Sequence, residues 1–381
     1  MAKKSISVFE NIENYLSERY LIRFNEISLN FEISTISEPV WKELETEKLY
    51  IELEKNDIKT SFDKLLIYLR GSIPKYNPFE YFFKNEIPKW NGVDYIGQLS
   101  NYVKVKDEQE FFNQQFKKWL VRTVLCACES EHINKNAIIF YSNKQNIGKT
   151  TFIRNLVPNS LKKYIAENIT NDKDSMIKIA TNLVINLDEM QNFVNKDLDF
   201  IKSLISKDQI NERLPYGKKS ERIIRRASFI GSTNRAYILK DNSNVRWIVF
   251  EIEAFDFNYS SIKIENVWSQ AVHLTYHDKN FNPFMTQYEL DYNEEKNKRF
   301  RVFSREEEEI LAFIEESDNE KDFMTSTELS FTLRNVFVHK NPITLGKILN
   351  NIGFKTKRTG DDRTKKYKIK LTDYYYDFMQ N

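Results

Sequence analysis

The sequence predicts an α/β protein built on a parallel sheet with helices on both faces. An α+β region precedes the sheet and a winged helix follows it. Three observations carry this reading. Four short segments between residues 137 and 252 (AIIFY, LVINL, ASFIG and WIVFEI) are almost continuously apolar, as strands covered on both faces are. The first runs directly into SNKQNIGKTTF, a loop-to-helix transition centred on Gly148, Lys149 and Thr150. After residue 300 the pattern changes to three helical segments and a basic hairpin.

Composition sets the bounds. The chain has 381 residues, 41% hydrophobic and 29% charged, the profile of a globular protein with room for several domains. No run of about 18 apolar residues is present to cross a bilayer. MAKKSISVFENIENYL lacks the apolar core of a signal peptide, so the expectation is a cytoplasmic protein with no membrane partner. Cys126 and Cys128 form an isolated C-x-C in an apolar run, and the four histidines show no metal-ligand spacing, which argues against a structural zinc site. Net charge is only +2, yet residues 355–370 carry a local +6 and residues 213–226 a local +5.

Four regions follow in order. Residues 1–75 hold a helical start (SVFENIENYLSERY), a hairpin (LIRFNEISLNFEI) and a second helix (TSFDKLLIYLRGSI). Residues 76–136 form a helical domain. Prolines at 74, 78 and 88 bracket its aromatic opening, and Phe112, Phe116, Leu120 and Val124 recur every four positions along one helix. Residues 137–299 contain the sheet. Residues 300–381 read as a winged helix, with EEEEILAFIEES, STELSFTLRNVFV and TLGKILNNIGF as helices and KTKRTGDDRTKKYKIKL as the wing. Thr344 and Lys347 would then be exposed on the third helix, with Lys355, Lys357, Arg358, Lys365 and Lys366 on the wing; the wing's charge favours duplex DNA as their partner, a protein-interaction module being the alternative.

The chemistry gathers at strand ends. Gly148, Lys149 and Thr150 satisfy the end of the phosphate-loop pattern G-x-x-x-x-G-K-[ST], but Asn143 stands where its first glycine belongs. Asparagine tolerates positive φ, so Asn143, and Asn146 after it, can serve there. The loop and helix start, comprising Asn143, Gln145, Asn146, Ile147, Gly148, Lys149, Thr150 and Thr151, would cradle phosphates, with Lys149 on the β- and γ-phosphates. LVINLDEM ends in Asp188 and Glu189. Asp188 with Thr150 would hold Mg²⁺, and Glu189 would polarise the attacking water. ASFIGSTN ends in Asn234, placed to hold that water or sense the γ-phosphate. Three strands ending in the needed polar groups predict a nucleoside triphosphatase.

These motifs, with NPFEYFFKNEIPKWNGVDYIGQL, FKKWLVRTV, RLPYGKK and LKDNSNVRWIVFEI around them, resemble the virulence-associated protein E family. These are superfamily 3-like AAA+ ATPases of phages, plasmids and chromosomal islands. The resemblance covers roughly residues 75–252. It implies ATP and Mg²⁺ as cofactors, a parallel αβα sheet, and a hexameric homo-oligomer with ATP at subunit boundaries. It also implies an arginine finger at Arg246, although Trp247 stands where the family has a second arginine. A channel-lining hairpin at 211–226 is implied too, with Lys218 and Lys219 gripping single-stranded DNA and Tyr216 either stacking on a base or packing behind the turn. The activity implied is an ATP-dependent DNA helicase for mobile-element replication. A separate primase or other replication protein would be a partner, since residues 1–75 are too short for a priming site. An ATP-switched origin binder and an ATPase acting on protein in phage interference are the competing readings.

Overall fold

The computed structural model describes residues 7–167, 169–170, 172–190, 195–212, 221–239, 245–336, 341–359 and 364–380. They form two compact units, one of residues 1–234 with 246–286, the other of residues 235–245 with 287–381.

The first unit opens with α1 (Val8–Ser17), whose N-cap Ser7 hydroxyl accepts the Glu10 N–H. The predicted hairpin follows as β1 (Tyr20–Asn25) and β2 (Asn30–Thr35), with Ile22 opposite Ile33 and Phe24 opposite Phe31. After β3 (Lys42–Glu43), α2 (Thr46–Lys55) and α3 (Phe62–Ser72) comes β4 (Lys75–Tyr76), giving a sheet in the order β3-β2-β1-β4. Ile12, Leu16, Ile33, Leu53, Leu65 and Leu69 close a small core of its own. A buried polar network ties this region to the rest of the unit. The Glu32 carboxylate accepts from Arg23 Nε at 2.7 Å, Asn25 Nδ2 at 2.8 Å and Lys163 Nζ at 3.0 Å. Burial alone would raise the Glu32 pKa, but these donors outweigh it and hold the carboxyl below its ordinary value.

Asn77 caps α4 (Pro78–Tyr81), with Pro78 in the first turn where its missing N–H costs nothing. Then come α5 (Tyr95–Asn101), β5 (Val103–Val105) and α6 (Gln109–Cys128), in which Phe112, Phe116, Leu120 and Val124 are fully buried. The four apolar segments are strands as expected. The chain runs β6 (Ala137–Tyr141), α7 (Lys149–Asn155), β7 (Ile165–Glu167), α8 (Lys173–Thr181) and β8 (Val184–Leu187). It continues through α9 (Asn195–Ser206), β9 (Gln209–Glu212), β10 (Glu221–Ile224), β11 (Ser228–Thr233), β12 (Trp247–Phe255) and α10 (Ile264–Tyr276). The six-stranded sheet has the order β5-β12-β6-β11-β8-β7. Five strands are parallel, but β5 pairs antiparallel with β12, so the sheet is mixed rather than purely parallel. Three residues of alternating VKV at an edge carry too little apolar signal to be read as a strand.

The second unit contains α11 (Gln287–Asn297), α12 (Arg305–Leu311), β13 (Ile314–Glu316), α13 (Ser326–Thr332), α14 (Pro342–Ile352), β14 (Thr356–Thr359), β15 (Thr364–Tyr367), β16 (Ile369–Leu371) and α15 (Asp373–Gln380). Capping boxes start α12 at Ser304 and Glu307, and α13 at Thr325 and Glu328. The segment EEEEILAFIEES is not one helix. It leaves the helix at Leu311, and Ile314–Glu316 pairs antiparallel with β16, with Ile314 opposite Leu371 and both Ile314 and Ile369 buried in this unit's core. Residues 235–239 belong to this unit. Ile238 and Leu239 are buried, their N–H groups both donate to the Phe300 carbonyl, and Leu239 bridges Arg301 in parallel. Among the described residues no helix is long and apolar enough to cross a membrane.

Candidate functional site

The register of the central strands brings the polar strand ends together. Gly231 lies beside Ile139 on one side and Leu187 on the other. Ser142, Asp188 and Asn234 therefore emerge at one edge of the sheet, the carboxyl end where α/β sheets bind ligands. This alignment needs a glycine. A Cβ on Gly231 would meet the Leu187 carbonyl oxygen at 2.7 Å and Leu187 Cβ at 2.9 Å.

The loop after β6 turns through two left-handed residues, Asn146 (φ 57°) and Gly148 (φ 98°). Asn143 is not left-handed, so this position makes no demand for positive φ and needs no glycine. Instead Ser142, just before it, accepts the Lys144 N–H through its side chain at 3.3 Å. Asn143, Gln145 and Asn146 are exposed, Ile147 packs on the core and Thr151 is exposed at the helix start.

The side chains that sequence reasoning selected converge. Lys149 Nζ donates to Asn234 Oδ1 at 2.6 Å and to the Lys144 carbonyl at 3.3 Å. Lys149 is buried, and that burial lowers its pKa, opposed by the attraction of Asp188. Thr150 Oγ1 donates to Asp188 Oδ1 at 2.9 Å. Glu189 is exposed and left-handed (φ 51°), an uncommon conformation for glutamate that recurs at functional sites. Its N–H donates to Asp188 Oδ1 at 3.2 Å.

A cation at Thr150 and Asp188 fits the donor set, since hydroxyl and carboxylate oxygens suit Mg²⁺. Among the described residues no group of three or more His, Cys, Asp or Glu could hold a metal. Mg²⁺ here would complete its shell with substrate oxygens and water, as it does in phosphate sites.

Arg246 is not part of this cluster. Its carbonyl accepts from Ala137 at the start of β6, and its Nε donates to Ser206 Oγ at 2.7 Å. It stands at the opposite end of the sheet, six β-strand rises or roughly 20 Å from the start of the loop at Ser142. The hairpin around 211–226 forms as antiparallel β9 and β10. Tyr216, Lys218 and Lys219 lie outside the described residues. Thr344 and Lys347 are exposed on α14, as are Lys355, Lys357 and Arg358 after it, and Lys365 on β15, while Lys366 is half-buried. Lys357 pairs with Glu320, and Lys365 donates to Asn350 at 2.9 Å.

Two residues escaped sequence reasoning. Ser232 Oγ donates to Asp188 Oδ1 at 2.5 Å. Its signal was present: it is a hydroxyl near the end of β11, two positions before Asn234, which follows the strand. Arg225, counted above in a basic cluster, is fully buried. Its guanidinium serves the carbonyls of Leu204, Ile205, Lys207, Ala227 and Asn134, closing the C-terminus of α9 at the base of the hairpin.

Two solved structures, described as the A form apo structure and the apo structure of the NrS-1 C-terminal region, share this chain's fold. They superpose with TM-scores of 0.52 and 0.51 at 13% identity. The first covers 95% of this chain and 99% of its own length, the second 97% and 100%. No curated protein sequence matches. The virulence-associated protein E-like domain matches residues 85–302, more than half of the chain. Its span encloses the loop, both acidic residues, Asn234 and Arg246, and the chain belongs to the virulence-associated protein E-like family.

Proposed function

We propose that this chain is a Mg²⁺-dependent P-loop ATPase of the AAA+, superfamily 3 type, working as a DNA helicase in the replication of a mobile element. The observation that carries the reading is the convergence of Lys149, Thr150, Asp188, Ser232 and Asn234 at the ends of three adjacent parallel strands. Lys149 neutralises charge on the terminal phosphate, and Asn234 keeps its ammonium aimed there. Mg²⁺, when bound at Thr150 and Asp188, withdraws charge from the phosphate oxygens. Ser232 and the Glu189 N–H orient the Asp188 carboxylate. Glu189, exposed beside it, takes the proton from the attacking water.

The remoteness of Arg246 from its own loop favours action on a neighbour's nucleotide, and so a ring, a hexamer in this reading. A transition-state arginine of this kind contributes on the order of 10³–10⁵ in rate. The second unit supports the DNA part, with its helix–strand–helix–helix–hairpin order reading as a winged helix. In its wing Lys357 lies directly opposite Lys366, and Arg358 opposite Lys365. Like charges facing across a strand pair repel, and phosphates relieve that repulsion.

The test is the rate of ATP hydrolysis with and without single-stranded DNA, together with the mass of the assembled particle. DNA-stimulated turnover by a ring is expected. Turnover indifferent to DNA would overturn the helicase reading, and failure to bind ATP would overturn the site itself.

A further inference from the structure

We propose that Phe257 is the platform on which the base of the bound nucleoside triphosphate stacks. The inference rests on the reading of residues 143–151 as a phosphate-binding loop and extends it to the other end of the ligand.

The direction of the ligand follows from the sheet. β6, which feeds the loop, lies between β11 and β12. Asp188, Ser232 and Asn234, the groups that would handle the terminal phosphate and its cation, all lie on the β11 and β8 side. With the γ-phosphate turned that way, the ribose and base leave across the β12 side. The residue waiting there is Phe257, which opens the short turn Phe257–Ser261 just after β12. A Cβ added to Gly148 would come within 3.0 Å of two of its ring carbons, so the ring lies directly on the phosphate loop. Yet Phe257 is 58% exposed. An aromatic ring held against a ligand loop with its surface open to water is placed for stacking rather than for the core.

The turn is rigidly mounted. The Asp256 carboxylate accepts the Asn258 N–H at 3.0 Å, and the Asp256 N–H donates to the Tyr102 carbonyl at 2.8 Å. Two residues on, Tyr259 is buried with its ring centroid 5.1 Å from that of Phe152 on α7, and its hydroxyl accepts from Asn155 at 3.1 Å. The platform is thereby fixed to the helix that the phosphate loop opens. Stacking on a ring tolerates any base, since every base has a π-face, so the ligand class is a nucleoside triphosphate selected more by phosphate than by base identity.

The experiment compares two ligands on the full-length chain in the presence of Mg²⁺, ATP and inorganic tripolyphosphate, with Kd measured by calorimetry. Phe257→Ala is expected to weaken ATP about tenfold or more, the usual effect of losing one base–aromatic stack. Tripolyphosphate, which has no base, should bind the variant as it binds wild type, and Phe257→Trp should restore ATP affinity. Unchanged ATP affinity in Phe257→Ala would overturn the proposal while leaving the phosphate loop intact. Equal losses for both ligands would also overturn it, making the ring a support for the loop. A wild-type protein binding neither ligand would overturn the phosphate-loop reading and this proposal with it.

Discussion

Replacing Gly231 with alanine should damage stability and activity together, through one methyl group. Gly231 sits in the middle of β11, flanked by Ile139 on β6 and Leu187 on β8. The new Cβ would lie 2.7 Å from the Leu187 carbonyl oxygen, 2.9 Å from Leu187 Cβ and 3.1 Å from Ile139 Cδ1, where ordinary contact begins at 3.4 Å. The deficit against the carbonyl is about 0.7 Å. A side-chain tip could rotate aside, but a ladder carbonyl cannot, so β8 must move away from β11. Overpacking of this kind costs about 1–3 kcal/mol, and a domain of about 150–250 residues loses roughly 2–4 °C in Tm per kcal/mol, an upper bound for this larger chain. The same displacement carries Asp188, the residue after Leu187, away from Ser232 and Thr150. A shift approaching 1 Å costs on the order of 10² in rate where groups must be aligned. Thermal denaturation and steady-state ATP hydrolysis on the purified variant measure both effects. A Gly231→Ala protein with wild-type Tm and wild-type kcat would refute the argument. Lost stability with intact kcat would refute only its link to Asp188.

Three further outcomes are expected. Glu189→Gln should bind ATP normally while turnover falls by on the order of 10²–10⁴, the usual worth of a general base; wild-type turnover would remove Glu189 from that role. Arg246→Ala and Lys149→Ala proteins, each inactive alone, should regain partial hydrolysis when mixed, because some subunit boundaries then combine an intact loop with an intact arginine. No recovery, with subunit exchange demonstrated by a fluorescent label, would argue for action within one chain. Alanine at Lys355, Lys357, Arg358, Lys365 and Lys366 should flatten the salt dependence of duplex binding by roughly 0.9 in log–log slope per lost phosphate contact; identical slopes would take the wing off DNA.

Much of the central sheet was legible because burial on both faces leaves unbroken apolar runs. AIIFY, LVINL, ASFIG and WIVFEI became β6, β8, β11 and β12, and their polar terminators named the cluster at the site. Elements with weaker signals were lost. β5 is three residues at an edge, and α2 and α15 carry no long apolar stripe. The positive φ expected of both Asn143 and Asn146 occurs at Asn146 and Gly148 only, since composition at a loop position does not tell which residue makes the turn. Ser232 was overlooked because a hydroxyl inside a buried strand looks like filler until its partner is known. Arg225 misled in the other direction: a charge in a basic run reads as solvated surface, and only folding supplies the five carbonyls that let it be buried.

The chain passes between its two compact units three times, at 234/235, 245/246 and 286/287. A protease cutting only after residue 286 would therefore nick the protein without freeing its C-terminal part. Residues 235–239 would still be hydrogen-bonded to Phe300 and Val302 across the cut. The same threading limits exchange by recombination. A crossover at 286 that brought in a foreign C-terminal module would strip Ile238 and Leu239 of the carbonyl that receives their N–H groups and of the burial around them. The segment after Asn234 and the segment around Arg301, distant in sequence but parts of one compact unit, would therefore have to change together.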